Sequence, residues 1–320
     1  MSVRLPTPAE VDTARANIAG VARRTPLWRL DAPTPPGTNI WLKLENLQPL
    51  GSFKLRAGVN ALKSADPAQL RDGVIAPSAG NFGLGLAYAA RRMDLPVTIV
   101  APDTAAMAKT DALQALGATV VRIPFEDWWQ VLTNRHFEGA GGAFFHPVAM
   151  TEVVAGNATI ASEIVEDLDR FDAVVVPFGG GGLISGIGSV MRRLRPGVRI
   201  VAAEAETAGP AAAALAAGGP AQVSHTPSFV DGIGSSTVLA EMWPLLRETV
   251  DAAASASLDE IAAAIRLLAS KHHVIAEGAG ASSVAAALSG RAGAGDIVCI
   301  VSGGNIDAAK LGSILAGQTP

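Results

Sequence analysis

Short β-branched runs alternate with longer helical stretches along most of this chain, and that alternation most limits what it can fold into. Residues 40–44, 73–76, 97–100, Thr119–Ile123, 173–176, 199–203 and 297–301 have strand character. Several are apolar on both faces, like parallel strands covered by helices on each side. Between them, residues 84–92, 109–116, 151–168, 183–194 and 258–268 carry apolar residues at helical spacing. The pattern predicts open, mostly parallel α/β sheets with crossover helices. The 320 residues suit two modest domains or one large α/β unit. Residues 208–221 look like low complexity. Gly209-Pro210 at the start and Gly218-Gly219-Pro220 at the end predict a short capped helix there. Gly139, Gly141 and Gly142 predict a hinge between domains.

Composition narrows the function. With 49% hydrophobic and 17% charged residues the chain is neither disordered, collagen-like nor coiled-coil. Its 25 basic and 29 acidic residues leave no electrostatic footprint for nucleic acid or an acidic membrane. The amino terminus lacks the apolar block of a signal peptide, and no apolar run reaches the length of a membrane span. Cys299 is the single cysteine and forms no internal disulfide, so a reducing cytoplasm is the expectation.

The strongest chemical signal is Gly179-Gly180-Gly181-Gly182, which follows the strand AVVVP and opens a helix. Four glycines let backbone approach a ligand, and the helix offers unpaired N–H groups at its positive end; together these bind phosphate. The loop holds no Walker lysine, which argues against a nucleoside triphosphatase. Gly180-x-Gly182-x-x-Ser185 is a degraded dinucleotide fingerprint, with Glu204 ending the next strand, so an NAD-dependent oxidoreductase stays open at this point.

The six lysines bear on that choice. Lys63, Lys109, Lys271 and Lys310 lie in polar helical contexts and read as surface, and Lys43 reads as a strand-edge charge. Lys54 sits between Phe53 and Leu55 directly before a helix, where apolar neighbours would lower its pKa as a Schiff-base lysine requires. Ser78-Ala79-Gly80-Asn81 links a strand to a helix and suits a carboxylate. Ser302-Gly303-Gly304-Asn305 follows a strand at its carboxyl end, where open sheets hold ligands. A phosphate cradle, such a lysine, a carboxylate loop and a strand-end serine fit pyridoxal phosphate and an amino acid. The histidines have no ligand spacing and read as packing or surface residues, and Trp128-Trp129 cannot both face one core.

Leu44 to Gln48 (LENLQ), Gly51 to Arg56 (GSFKLR), Ser78 to Asn81, Gly179 to Gly182, Asp231 to Gly234 (DGIG) and Ser302 to Asn305 resemble the fold-type II pyridoxal phosphate enzymes. Within the tryptophan synthase beta superfamily the likeness is to the threonine/serine dehydratase and serine racemase branch. The resemblance implies two open parallel-sheet α/β domains with the active site in their cleft. Residues 1–72 and 147–320 would form the large cofactor domain, and 73–146 the small mobile one that carries the substrate carboxylate loop. It also implies roles. Lys54 carries pyridoxal 5'-phosphate and acts as base on Cα, Phe53 packs on the ring, and Asn81 bonds the ring hydroxyl. Gly179, Gly180, Gly181 and Gly182 with Leu183 hold the phosphate. Ser302 faces the pyridine nitrogen and Glu277 lies near the ring. Ser78, Ala79, Gly80 and Asn81 hold the substrate, with Asn157 in the same pocket. A cytoplasmic homodimer acting on a small amino acid is implied too.

A neutral serine at the pyridine nitrogen stabilises a carbanion poorly, which favours loss of a β leaving group. The implied reaction is dehydration and deamination of a β-hydroxy amino acid such as threonine or serine to a 2-oxo acid and ammonia. Departures bear on the substrate. Ala79 stands where the racemases have a serine, and it cannot transfer a proton. Phe82, Leu84 and Asn157 make the pocket more apolar than is usual, which raises a bulkier substrate, phenylserine-like or hydroxyaspartate-like. Compensated packing around an unchanged pocket is the alternative. Magnesium or a monovalent cation often binds this branch; the ligands available here are Glu204 and the Ala208 carbonyl, with Pro210 where an aspartate is expected. No regulatory domain follows the last motif, which suggests a catabolic or specialised role. Amino acid racemisation and a noncatalytic cofactor-binding protein remain as rivals.

Overall fold

The computed structural model describes residues 2–105 and 107–320. In chain order, the first elements are α1 (Pro8–Ile18), β1 (Leu27–Arg29), β2 (Thr38–Lys43), α2 (Lys54–Ser64), β3 (Val74–Pro77), α3 (Asn81–Arg92), β4 (Val97–Pro102) and α4 (Met107–Ala115). There follow β5 (Thr119–Ile123), α5 (Phe125–Asn134), β6 (Ala143–Phe144), α6 (Thr151–Asp167), β7 (Ala173–Pro177), α7 (Gly182–Leu194), β8 (Arg199–Ala205) and α8 (Pro210–Ala217). The last are α9 (Trp243–Thr249), β9 (Ala252–Ala256), α10 (Leu258–His272), α11 (Gly278–Leu288), β10 (Gly295–Ile300) and α12 (Ala308–Leu315).

The chain divides into two compact units. One comprises the chain up to Ala22 together with Lys54–Asn157; the other comprises Arg23–Phe53 and Ala158–Pro320. The first holds a four-stranded sheet in the order β5-β4-β3-β6, every neighbour parallel. Ile75, Val100 and Val131 form a small core, and Trp128 packs on it while its indole N–H donates to the Val100 carbonyl at 3.1 Å. The sheet lies within residues 73–146, and the unit also takes in α1 and α2 because α2 packs along α3. Residues 139–142 lie inside this unit, so they are no hinge between the two. Gly142, at φ +123°, serves close approach instead. A Cβ there would meet the Gly73 carbonyl oxygen at 2.6 Å, so glycine lets β6 approach β3.

The second unit holds a six-stranded sheet, β1-β2-β10-β7-β8-β9, parallel except for β1 against β2. Its core includes Ile40, Leu42, Val175, Val201, Ile265, Ile297 and Cys299. Burial pushes the Cys299 thiol pKa up, which makes it inert packing. α8 ends at Gly218 in the left-handed conformation, the capped helix expected of the 208–221 stretch. Among the described residues no helix is long and apolar enough to cross a membrane.

Lys43 corrects an expectation. β2 lies inside the sheet between β1 and β10, so its lysine is no edge charge. The side chain is 0% exposed, with Nζ 2.6 Å from Glu163 Oε2 and 2.7 Å from the Thr25 carbonyl oxygen.

Candidate functional site

In the first unit, Lys54 is the first residue of α2. Its side chain is half-buried, and Nζ donates to the Pro147 carbonyl at 3.0 Å. Nζ also stands 5.7 Å from the centre of the Phe82 ring, which is 2% exposed. Desolvation pushes the amine down to about 8 from 10.5. Phe82 therefore makes part of the apolar setting that keeps a neutral amine within reach near neutral pH.

The Ser78–Asn81 loop runs from β3 into α3. Gly80 is the N-cap of that 12-residue helix and has no side chain of its own to cap it. Ser78 Oγ accepts from the Gly83 N–H at 3.2 Å, so the hydroxyl is tied into the first turn. Asn157 lies on α6 next to Gly156, where a Cβ would be 2.6 Å from the Arg56 carbonyl oxygen, two residues beyond Lys54. Asn157 is 0% exposed, and neither its Oδ1 nor its Nδ2 has a partner. An unsatisfied buried polar group costs about 1–3 kcal/mol, so a fold retains this one at the expense of stability.

In the second unit four motifs converge. The segment before Lys54 is laced to the Ser302 loop: the Phe53 N–H donates to the Ser302 carbonyl (3.1 Å), the Gly304 N–H to the Gly51 carbonyl (2.8 Å), and Ser52 bridges Gly303. Asn305 Nδ2 donates to the Leu50 carbonyl at 2.7 Å. Glu277 donates its N–H to the Gly303 carbonyl at 3.0 Å, and a Cβ on Gly303 would lie 2.3 Å from Glu277 Oε1. Gly232 neighbours that carboxylate, and Gly179 neighbours Ile233. The glycine loop opens α7: Gly181 is the N-cap at φ +89°, no side chain caps the helix, and its 13 residues begin with Gly182 and buried Leu183. A Cβ residue would be strained at that φ. Ser185, in the same helix, is fully buried with an unpartnered Oγ.

These features fit the anionic, amine-reactive cofactor that the resemblance implies. An uncapped helix start suits a phosphate, and a low-pKa amine suits a Schiff base.

Glu204, expected as a cation ligand, has other partners in this structure. Glu204 is 1% exposed and both its oxygens serve α8, accepting from the Ala211 N–H at 2.7 Å and the Ala212 N–H at 3.1 Å. Pro210 supplies no ligating side chain. Among the described residues no three His, Cys, Asp or Glu gather as metal ligands. Glu204 is a helix cap.

Desolvation raises the Glu204 pKa to about 6 from 4.5, the two backbone N–H groups opposing. The folded state therefore binds the extra proton between those values, and stability from this group is lost as pH rises through 6. In a comparison of wild type with Glu204→Gln, the stability difference should drift against wild type from pH 4.5 to 6.5, by roughly 2 kcal/mol at most. Parallel stability profiles across that range would show the carboxylate to be unperturbed.

The family described as pyridoxal-phosphate dependent enzyme matches residues 18–303. The chain belongs to that family. Among curated relatives of this pyridoxal-phosphate dependent enzyme, L-threonine ammonia-lyase of Thermotoga maritima is 36% identical over 96% of this chain and 77% of the relative. Serine racemase of Bos taurus is 34% identical over 95% of this chain and 94% of the relative. Among solved structures, threonine deaminase isoform 2 from Solanum lycopersicum superposes with a TM-score of 0.87 at 29% identity, covering 99% of this chain and 92% of that one. The mixed α/β fold with two parallel-strand sheets is that of fold-type II enzymes.

Sequence reasoning misses two features of this enzyme. The buried Lys43–Glu163 pair gives no local signal, since the partners are far apart in sequence. His146 reads as a packing residue, although a histidine before proline after an aromatic pair is a visible oddity.

Proposed function

We propose that this enzyme is an ammonia-lyase acting on threonine or serine, releasing a 2-oxo acid and ammonia. The observation that carries the proposal is the Lys54 amine, half-buried at the start of α2 and lowered to about 8. Bound pyridoxal 5'-phosphate supplies the electron sink that acidifies the substrate Cα–H. Lys54 would anchor it and afterwards take the Cα proton on Nζ. Phe53, Asn81, Glu277 and Ser302 would hold the ring, and the N–H groups of residues 179–183 the phosphate. Ser78, Ala79, Gly80 and Asn81 would hold the substrate carboxylate, on the part of the chain, residues 73–146, assigned to substrate capture. Asn157 would bind the substrate as well.

Ala79 offers no proton donor on the face of Cα away from the lysine, which supports elimination over racemisation. Phe82 is buried against Lys54, which favours an ordinary pocket over an enlarged one. A homodimer in a reducing cytoplasm completes the reading, on the family likeness and the lone buried Cys299.

Incubation with L-serine, followed by assay of both 2-oxo acid and D-serine, tests the reaction. Oxo acid in large excess is expected; D-serine formed at a comparable rate would refute the preference for elimination over racemisation. Asn157 is tested separately. Asn157→Leu removes a buried amide that lacks partners, so the melting temperature should hold or rise while kcat/KM for threonine falls about tenfold. Unchanged kcat/KM would take Asn157 out of the pocket.

A further inference from the structure

The turn after β6 is built around His146, to which the proposed reaction gives no role. The residue is 2% exposed. Its Nδ1 accepts two hydrogen bonds, from the Val148 N–H at 3.1 Å and the Ala149 N–H at 2.8 Å, while its backbone N–H donates to the Met150 sulfur at 3.1 Å. A ring nitrogen that accepts N–H groups carries no proton. Consistently, desolvation, then the charges of Arg135 and Lys54, hold the imidazole down at about 3. His146 is thus neutral, with its proton on Nε2.

Those two bonds fold the backbone over residues 146–149, and two carbonyls of that turn meet cations. Pro147 accepts from Lys54 Nζ at 3.0 Å, and Ala149 accepts from Arg135 Nη2 at 2.8 Å. Proline at 147 narrows the backbone further by fixing φ. A lysine side chain has many rotamers, so an amine that must wait at one place needs a fixed acceptor.

We propose that His146 is a positioning residue for Lys54. It fixes the Pro147 carbonyl as the acceptor that holds the lysine amine whenever that amine is not bonded to cofactor. The carbonyl holds one N–H and takes no proton; the nitrogen lone pair stays available for the substrate Cα proton. This inference rests on the assignment of Lys54 as Schiff-base lysine and Cα base.

The test uses the holoenzyme with ordinary and Cα-deuterated L-threonine. His146→Leu deletes the acceptor. His146→Asn restores it, because an asparagine oxygen accepts from the N–H two residues on. Each variant should show the violet cofactor band, which separates this proposal from the cofactor assignment; a wild-type protein without that band would sink the assignment instead. For His146→Leu, kcat should fall about 10–100-fold with KM nearly unchanged, and the deuterium effect on kcat should grow as proton removal becomes limiting. His146→Asn should recover both. A general loss of active protein would lower kcat without moving the isotope effect, and that result overturns the proposal, as does wild-type behaviour of His146→Leu. If the leucine variant does not fold, His146→Ser, with its one weaker acceptor, should lie between Asn and the expected loss; a wild-type isotope effect in His146→Ser would overturn the proposal equally.

Discussion

Lys54→Ala should abolish the violet absorbance of the cofactor-loaded protein and lower turnover of threonine by at least about 10⁴-fold. The two roles proposed for Lys54, the covalent anchor and the base on Cα, would end together, so no other single change should cost as much activity. Lys54→Arg should be equally inactive, because a guanidinium stays protonated and forms no Schiff base. Neither change should unfold the protein. The pKa of the Lys54 amine is lowered from 10.5 to about 8 by desolvation, so its charge is tolerated in the folded state and does not support it. The sign follows from linkage: the unfolded chain binds the extra proton between pH 8 and 10.5, so the contribution of Lys54 to apoprotein stability rises with pH across that window. The alanine variant should lose that rise, and should melt at or above the wild-type temperature at pH 7. Residual activity above about 1% in Lys54→Ala, with the band intact, would mean that another lysine carries the cofactor.

The second large effect is on stability. Lys43→Met should destabilise the protein by about 3–5 kcal/mol, because it takes the ammonium away from a buried carboxylate. Lys43 is wholly enclosed, and its ammonium bonds both Glu163 and the Thr25 carbonyl. The region is tied further by Thr25 Oγ1, which donates to Glu45 Oε1 at 2.5 Å, and by ion pairs from Arg24 to Glu166 and Asp167. At roughly 2–4 °C per kcal/mol for a unit of this size, melting should drop by about 10 °C. The double variant Lys43→Met with Glu163→Leu should recover much of that loss, since an apolar replacement of both partners removes the buried carboxylate as well. If the single variant melted within 2 °C of wild type, the pair would be contributing nothing by being buried.

Much of the chemistry is legible in the sequence, because it resides in local backbone demands. The run of four glycines that leads from β7 into α7 marks a helix start with no side-chain cap, and Gly181 proves to need a positive φ. Strands apolar on both faces predict parallel, covered sheets, and β3, β4, β7 and β10 are such strands. What stays hidden is long-range pairing of polar groups. Lys43 alternates with apolar neighbours just as an edge residue does, and only the sheet order, with β10 beside β2, encloses it. Glu204 looks like a cation ligand because a carboxylate at a strand end suits either partner; the start of α8 claims it. Gly139, Gly141 and Gly142 look like a hinge because flexibility and the close backbone approach that Gly142 serves call for the same residue. His146 escapes notice because its role depends on a turn, and no periodicity reports a turn that binds two cations.

The central claim is that Lys54 binds pyridoxal phosphate and drives elimination from a β-hydroxy amino acid. The most direct measurement is one absorbance experiment on purified protein. L-threonine, L-serine and L-phenylserine are titrated in turn while 2-oxo acid is assayed in the same cuvette. A violet band that shifts on substrate addition, with oxo acid accumulating from threonine or serine faster than from phenylserine, is the predicted result. A protein that stays colourless after incubation with pyridoxal phosphate, or a band that shifts with no oxo acid formed, would contradict it.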